Sequence, residues 1–500
     1  MPRTLLIAGL LAAAAAARAG QPVPLRVAIH VDTSISHSFR AIKIAGITVR
    51  KKVGTLPPTL EEIAAIAPKY GLDAVILADR ARADVSYGLT PFSRLFKVTV
   101  SEGSIASYGA PRYVERVKKA ELASGTLFIL GAECIPYYRW NGDPITGLQL
   151  SHLYEHMVIA GLGSPEDLEQ IPDTAAGWGY RFEWTAGLNL LLLILMLAGI
   201  KLWRLKPTPR RRLGALLFLA AALALVDGAP YLPRKIWAYQ APRSNPAEIL
   251  TDYARSKNAL TFWAHPDANP GSLPHRLQQE NGVEVQVGPY PELLYQTKGY
   301  TGFAMFNAGS GPGEPGEAWD QALEQYCKGT RDRPVWVVSE CDFDTGSPDN
   351  WLAEAQTVVW AAERSKKAIL DALRNGRCYA TRIDIHKGLS VSDYLLRSGD
   401  LVARSGETLV TPAPAATLDL RFGAKFPRQA AARLAVTAIV NGVPQHLPLT
   451  VTPDGRGLRA TGAIGVPPTR KTSYVRVLVY DGREPILALN PIFLAPEGGP

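Results

Sequence analysis

Residues 25–34, LRVAIHVDTS, place a strand and two metal-competent side chains side by side. Leu25, Val27, Ala28, Ile29 and Val31 make a nearly continuous apolar run, the pattern of a strand covered on both faces. His30 and Asp32 close it, two residues apart and therefore on one face of an extended chain. An amphipathic run follows at 60–71 (LEEIAAIAPKYG), then a second apolar strand at 72–79 (LDAVILAD) ending in Asp79. The pair repeats at 113–123 and 126–134, where TLFILGAEC ends in Glu133. After residue 245 the alternation resumes, with ALTFWAHP (259–266) ending in His265 and RPVWVVSECD (333–342) carrying Glu340 and Asp342 just ahead of Asp344. Helices between buried strands predict an α/β sheet or barrel. Beyond residue 386 the chain is poor in helix signals; segments such as 418–422, 432–440, 474–482 and 485–490 predict a small antiparallel domain of sandwich type over 386–500.

With 500 residues, 47% apolar and 20% charged, the chain is too long for one compact unit and too apolar for disorder. Its net charge of +9 is concentrated: residues 201–212, KLWRLKPTPRRR, carry six cations and no acid. The remainder is nearly balanced, so no nucleic-acid partner is expected. The four cysteines, Cys134, Cys327, Cys341 and Cys378, form no CxxC pair and define no zinc ribbon or disulfide framework, though one or two bridges would suit an oxidising compartment.

The first residues, with Arg3, an apolar run over 5–17 and the small triplet Ala17-Arg18-Ala19, read as a secretory signal over 1–19. Residues 184–203, WTAGLNLLLLILMLAGIKLW, match the ~20 residues that span a bilayer and carry tryptophan at both ends. With the shorter run at 213–226 they predict a transmembrane hairpin over 184–228, its basic loop 201–212 cytoplasmic. The chain is thus expected to be membrane-anchored, with its main parts periplasmic or extracellular.

Imidazoles and carboxylates at the ends of five apolar runs are a ligand supply for divalent metal, since functional residues of parallel βα folds gather at the C-terminal ends of strands. Any one of these acids also suits a helix cap. Order and spacing say more. His30-Val31-Asp32-Thr33-Ser34, Gly71-Leu72-Asp73 with Ala78-Asp79-Arg80, Glu133, Ala264-His265-Pro266, the strand 282–285, Asp342-Phe343-Asp344 and the closing 368–381 together resemble the polymerase and histidinol phosphatase (PHP) family. The resemblance covers about 25–385, apart from the hairpin.

That resemblance implies a distorted (β/α)7 barrel, here interrupted by the hairpin into halves at 24–170 and 237–385, with two or three divalent ions serving phosphoester hydrolysis. Carried over position by position, it implies metal ligation by His30, Asp32, Asp79, Glu133, His265, Asp342 and Asp344. The ion would be Mn, Zn, Mg or Fe. Three family histidines look replaced, by Asp32, Arg80 and Asp344. Aspartate still binds hard ions, shifting preference toward Mn²⁺ or Mg²⁺. Arginine offers no lone pair, so Arg80 would delete one ion and clamp a phosphate in its stead, or else pair with Asp32 or Asp79 and silence the site. His37, in the loop after the opening motif, would orient substrate.

His152 and His156 in SHLYEH, four apart, would share a helix face, one of them reaching the site. Cys134 and Cys341 adjoin proposed ligands and read chiefly as buried packing residues. Glu284 is as often structural as functional at its strand position. No Walker loop, dinucleotide fingerprint or GxSxG elbow occurs. Two functions remain: a metal-dependent hydrolase acting on a small-molecule or other phosphoester on the exported side, and a degenerate PHP-like binding or scaffold module of the envelope that holds no stoichiometric metal.

Overall fold

A computed structural model describes residues 22–36, 38–44, 47–51, 56–88, 97–143, 147–174, 182–205, 208–228, 245–267, 283–306, 310–343, 351–382, 388–465 and 472–497. The opening strand β1 (Val23–Val31) is covered along most of its length and pairs in parallel with β2 (Ala74–Leu77), which pairs in parallel with β3 (Leu127–Ile129). Helices on the outer side seal these strands. α1 (Leu60–Ile66) starts at a capping box between Thr59 and Glu62 and buries Leu60, Ile63 and Ile66. α2 (Ala110–Ser124) buries Tyr113, Val114, Val117 and Ala120, an i, i+3, i+4 stripe. It ends where Gly125 takes the left-handed conformation that stops a helix.

One residue, Leu130, separates β3 from β4 (Gly131–Cys134), yet the two belong to different sheets. The second sheet has the order β8-β7-β6-β5-β4, with β5 (Met157–Ala160), β6 (Leu260–Trp263), β7 (Gly302–Met305) and β8 (Trp336–Ser339). β5 runs against both its neighbours, whereas β6, β7 and β8 are parallel. Facing residues of the two sheets share one core: Val27, Ile29 and Ile76 meet Phe262, Ala304 and Val338.

The first sheet extends through β9 (Ala355–Ala361), antiparallel to β1, and β10 (Cys378–Arg382). It continues into β11 (Leu434–Val440), β12 (Ser473–Asp481) and β13 (Glu484–Pro496), since β13 pairs with β10. A five-stranded antiparallel sheet built from residues between 390 and 465 covers β11 to β13, with Leu418, Leu420 and Leu458 packed on Val475, Val477 and Leu489.

These connections correct the expected architecture. None of the five sheets closes on itself, so there is no seven-stranded barrel among the described residues, and the antiparallel C-terminal strands continue the sheet that holds β1. The reason lies at β8. Its Val337 amide donates to Asn490 Oδ1 at 2.7 Å and its Ser339 amide to Thr357 Oγ1 at 2.8 Å, so side chains take the bonds that a closing strand would need. Asn490, fully buried on β13, returns Nδ2 bonds to the carbonyls of Val337 and Cys378, each 3.0 Å.

The membrane hairpin is likewise corrected. α3 (Phe182–Trp203) and α4 (Thr208–Gly228) fold back on each other with Gly199 and Gly214 at the crossing, where an added Cβ would lie 2.8 Å from the Phe218 nitrogen and 2.4 Å from the Trp203 nitrogen respectively. No helix among the described residues is long and apolar enough to cross a membrane. α4 carries Arg210, Arg211 and Arg212 in its first two turns, and the apolar run that follows them, 213–226, is shorter than the ~20 residues a span requires. The expected membrane anchor and the periplasmic or extracellular placement built on it lose that support. The signal expected over 1–19 lies outside the described residues.

Asn490→Leu keeps the volume, strands the Val337 amide in the core and leaves the Val337 carbonyl with only the weak Cys378 thiol donor. Urea unfolding should show stability lowered by about 2–3 kcal/mol; an unchanged midpoint would show that Asn490 does not join the two sheets.

Candidate metal centre

At His30 the ladder between β1 and β2 slips by one residue: Ile29 faces Ile76, while Val31 faces Leu77. This bulge holds His30 at φ 64°, in the left-handed region that non-glycine residues seldom adopt. Ala28 and then Val31 face the outer core, so the bulge takes the His30 side chain out of the strand's alternation. The segment after β8 pins it from the other side. Cys341 donates its amide to the Ile29 carbonyl and Phe343 to that of His30, while Asp32 donates to the Phe343 carbonyl, all at 3.0 Å. His265 and Asp342 also have positive φ, 26° and 44°.

These backbones converge their side chains. His30 Nδ1 lies 2.9 Å from Glu340 Oε1; its Nε2 lies 3.2 Å from Glu133 Oε1 and 3.5 Å from Asp342 Oδ1. His156 Nδ1 also contacts Glu133 Oε1. The His265 ring stands 5.9 Å from that of His30 and 5.3 Å from that of His156, and its amide donates to Glu340 Oε2 at 3.1 Å. Tyr290 supports it from behind through the Ala264 carbonyl and His265 Nδ1. Three overlapping groups bring ligand atoms within 4.8 Å of one another: His30, His265, Glu340 and Asp342; Glu133, His156 and His265; and His30, Asp32 and Glu133.

This donor set fits a divalent ion. Both ring nitrogens of His30 are buried among carboxylate oxygens at short range but in hydrogen-bond geometry with none of them, and the same holds for His156 Nδ1. Buried polar atoms left in that state cost free energy that an ion bound by imidazole and carboxylate together would recover. The electrostatics agree. Burial raises the Asp32 carboxyl, and Glu133 adds to it, holding it well above the usual value. Burial alone would lower the His30 imidazole, but Glu340, Asp342 and Glu133 raise it well above the ordinary value, a demand for positive charge at this point. Burial keeps His156 below its ordinary value, hence neutral and able to give a lone pair, despite Glu133 beside it.

Asp79 and Arg80 flank the cluster. The Asp79 carboxylate accepts from the Thr33 amide (3.0 Å), Thr33 Oγ1 (2.9 Å), Ser36 Oγ (2.6 Å) and Tyr113 Oη (3.0 Å), so it fixes the turn after Asp32 and joins none of the three groups. Arg80 pairs through Nη1 with Glu102 at 2.7 Å and brings Nε within 3.5 Å of Glu133 Oε2, rather than pairing with Asp32 or Asp79 as the silent-site expectation had it. His37 and Asp344 lie outside the described residues.

Glu340 and His156 complete the cluster without having been assigned as ligands from sequence. Glu340 was visible at a strand end beside Asp342. Of His152 and His156, one of which was expected to reach the site, it is His156 that does; residues 152–156 form a turn rather than the expected helix face, and His152 points instead to Glu155 at 2.5 Å. Glu284 sits on the strand Val283–Val285 of a separate three-stranded sheet and joins none of the three groups. The four cysteines are free and buried. Burial pushes the Cys341 thiol up to about 12 and raises that of Cys134 as well, so both are packing groups at neutral pH.

No protein-family model matches the chain, and no curated protein matches it. A solved structure from Bacteroides vulgatus, a two-domain protein containing a predicted PHP-like metal-dependent phosphoesterase, shares 12% identity over 94% of this chain and 95% of its own, with a TM-score of 0.33. The likeness is remote, and the site stands on this chain's own side chains.

Proposed function

We propose that this chain is a metal-dependent hydrolase of phosphoesters, with one or two divalent ions held by His30, Asp32, Glu133, His156, His265, Glu340 and Asp342. The observation that carries the reading is His30: fully buried, held at positive φ, and presenting two ring nitrogens to three carboxylates with no hydrogen bond made. Strained backbone at three members of one polar cluster is a feature of functional sites rather than of core packing. When bound, a divalent ion supplies Lewis acidity, which acidifies water and polarises a phosphoryl oxygen.

The chain's own residues do the rest. Neutral His156 and the carboxylates donate lone pairs. Asp79 keeps the turn that carries Asp32 in place through Thr33 and Ser36. Arg80, partly exposed at the rim, directs positive charge at the mouth of the cluster, where a phosphoryl oxygen would gain charge as its bond breaks. The resemblance of the strand-end motifs to the PHP family supports phosphoester as the bond cleaved.

The competing reading, a metal-free binding module, draws on Arg80, whose guanidinium already approaches Glu133. Elemental analysis separates the two. The purified chain should carry about one or more divalent ions per molecule, His30→Ala and His265→Ala should lose most of it, and hydrolysis of bis-(p-nitrophenyl) phosphate should fall at least about 100-fold in both. A metal-free, inactive chain after Mn²⁺ or Zn²⁺ loading would remove the proposal. Arg80→Gln should keep its metal and lose roughly 10–100-fold in kcat; an unchanged kcat would take Arg80 out of the reaction.

A further inference from the structure

A second site lies at the opposite ends of the strands that carry the metal cluster. A cavity of about 350 Å³ opens where Ile129 and Leu130 lead into β4, where Gly161 leaves β5, and where Lys257 and Asn258 precede β6. Glu133, His156 and His265 stand at the other ends of those strands, on the order of 10–15 Å away at the rise of a β-strand. Five cations surround the cavity: Lys118, Lys257, Lys366, Lys367 and Arg374. Val117, Leu162 and Leu370 give it an apolar floor.

The charge there is unbalanced. Lys257 pairs with Asp167 at 2.9 Å and Lys366 with Glu121 at 2.5 Å. Each of those carboxylates also accepts a backbone amide, from Gly163 and Phe128 respectively. Arg374 donates to the Asn258 carbonyl at 2.6 Å, which leaves its charge uncompensated. Lys118 and Lys367 form no ion pair with any carboxylate among the described residues. Arg333 lies close enough to Arg374 to feel its charge, and burial, Arg255 and Arg374 together hold it below its usual value. Like charges gathered around a concave, part-apolar surface repel one another until an anion enters.

We infer that this cavity binds a small organic anion: a doubly charged phosphoryl-type head among Lys118, Lys367 and Arg374, with an apolar substituent against Leu162 and Leu370. Its volume lies at the lower end of small-molecule sites. The site is independent of the metal cluster, and phenylphosphonate, whose C–P bond no phosphoesterase cleaves, probes it. Calorimetric titration of the full, metal-loaded chain should show saturable binding that weakens with added salt. Lys118→Glu and Lys367→Glu, both at exposed positions and folding normally by circular dichroism, should each raise Kd at least about tenfold, whereas His265→Ala should leave it within about twofold. No saturable binding up to roughly 10 mM would overturn the inference. So would binding that His265→Ala abolishes and the lysine variants leave intact, because the probe would then be at the metal cluster.

Discussion

A neutral core would never collect four carboxylates around one imidazole. His30 is fully buried, yet Glu340, Glu133 and Asp342 approach its two nitrogens and Asp32 lies in the same group. Three of the four, Asp32, Glu133 and Glu340, are buried, and desolvating them costs several kcal/mol each unless positive charge is close; among the described residues the cation at hand is Arg80, already engaged with Glu102. The rest of the structure is arranged around this constraint. The bulge in β1 turns His30 out of the strand's alternation, the segment after β8 bonds to both sides of it, and Asp79 gives up its carboxylate to four donors that hold the neighbouring turn.

Two sheets, rather than one closed barrel, bring these residues together. β1 and β2 contribute His30, Asp32 and the Arg80 flank; the second sheet contributes Glu133, His156, His265 and the Glu340–Asp342 segment. Isolated bridges between Val31 and Phe343 and between Arg80 and Glu133 stitch the sheets at the cluster itself. Elsewhere Asn490 and Thr357 bridge the gap by side chain. The site thus sits on the seam, and the C-terminal strands reach it indirectly, through Asn490 on β13.

Much of this was legible in the sequence because buried strands announce themselves. LRVAIHVD, LDAVILAD and LTFWAHP each yielded one strand with a polar residue at or just past its end, LFILGAEC yielded two strands of different sheets with Glu133 in the second, and His30, Asp32, Glu133, His265 and Asp342 do meet in one cluster. What periodicity does not encode is how strands pair. A reversed β5 looks the same as a parallel strand in sequence, and a side chain such as Asn490 replacing a ladder bond leaves no pattern. His156 is the member of the His152/His156 pair that reaches the cluster, but the helix face that a spacing of four suggests does not form, because φ 65° at His152 breaks the turn of helix. The apolar runs at 184–203 and 213–226 did form helices, but hydropathy along the chain says nothing of the close Gly199–Gly214 crossing by which they pack.

The most direct measurement is an anomalous difference map from crystals grown with Mn²⁺. A divalent ion held by the cluster gives a peak about 2.0–2.4 Å from a His30 ring nitrogen and from at least two of the surrounding carboxylates. A map with no peak there, and a His30 ring hydrogen-bonded to Glu133 and Glu340 instead, would contradict it.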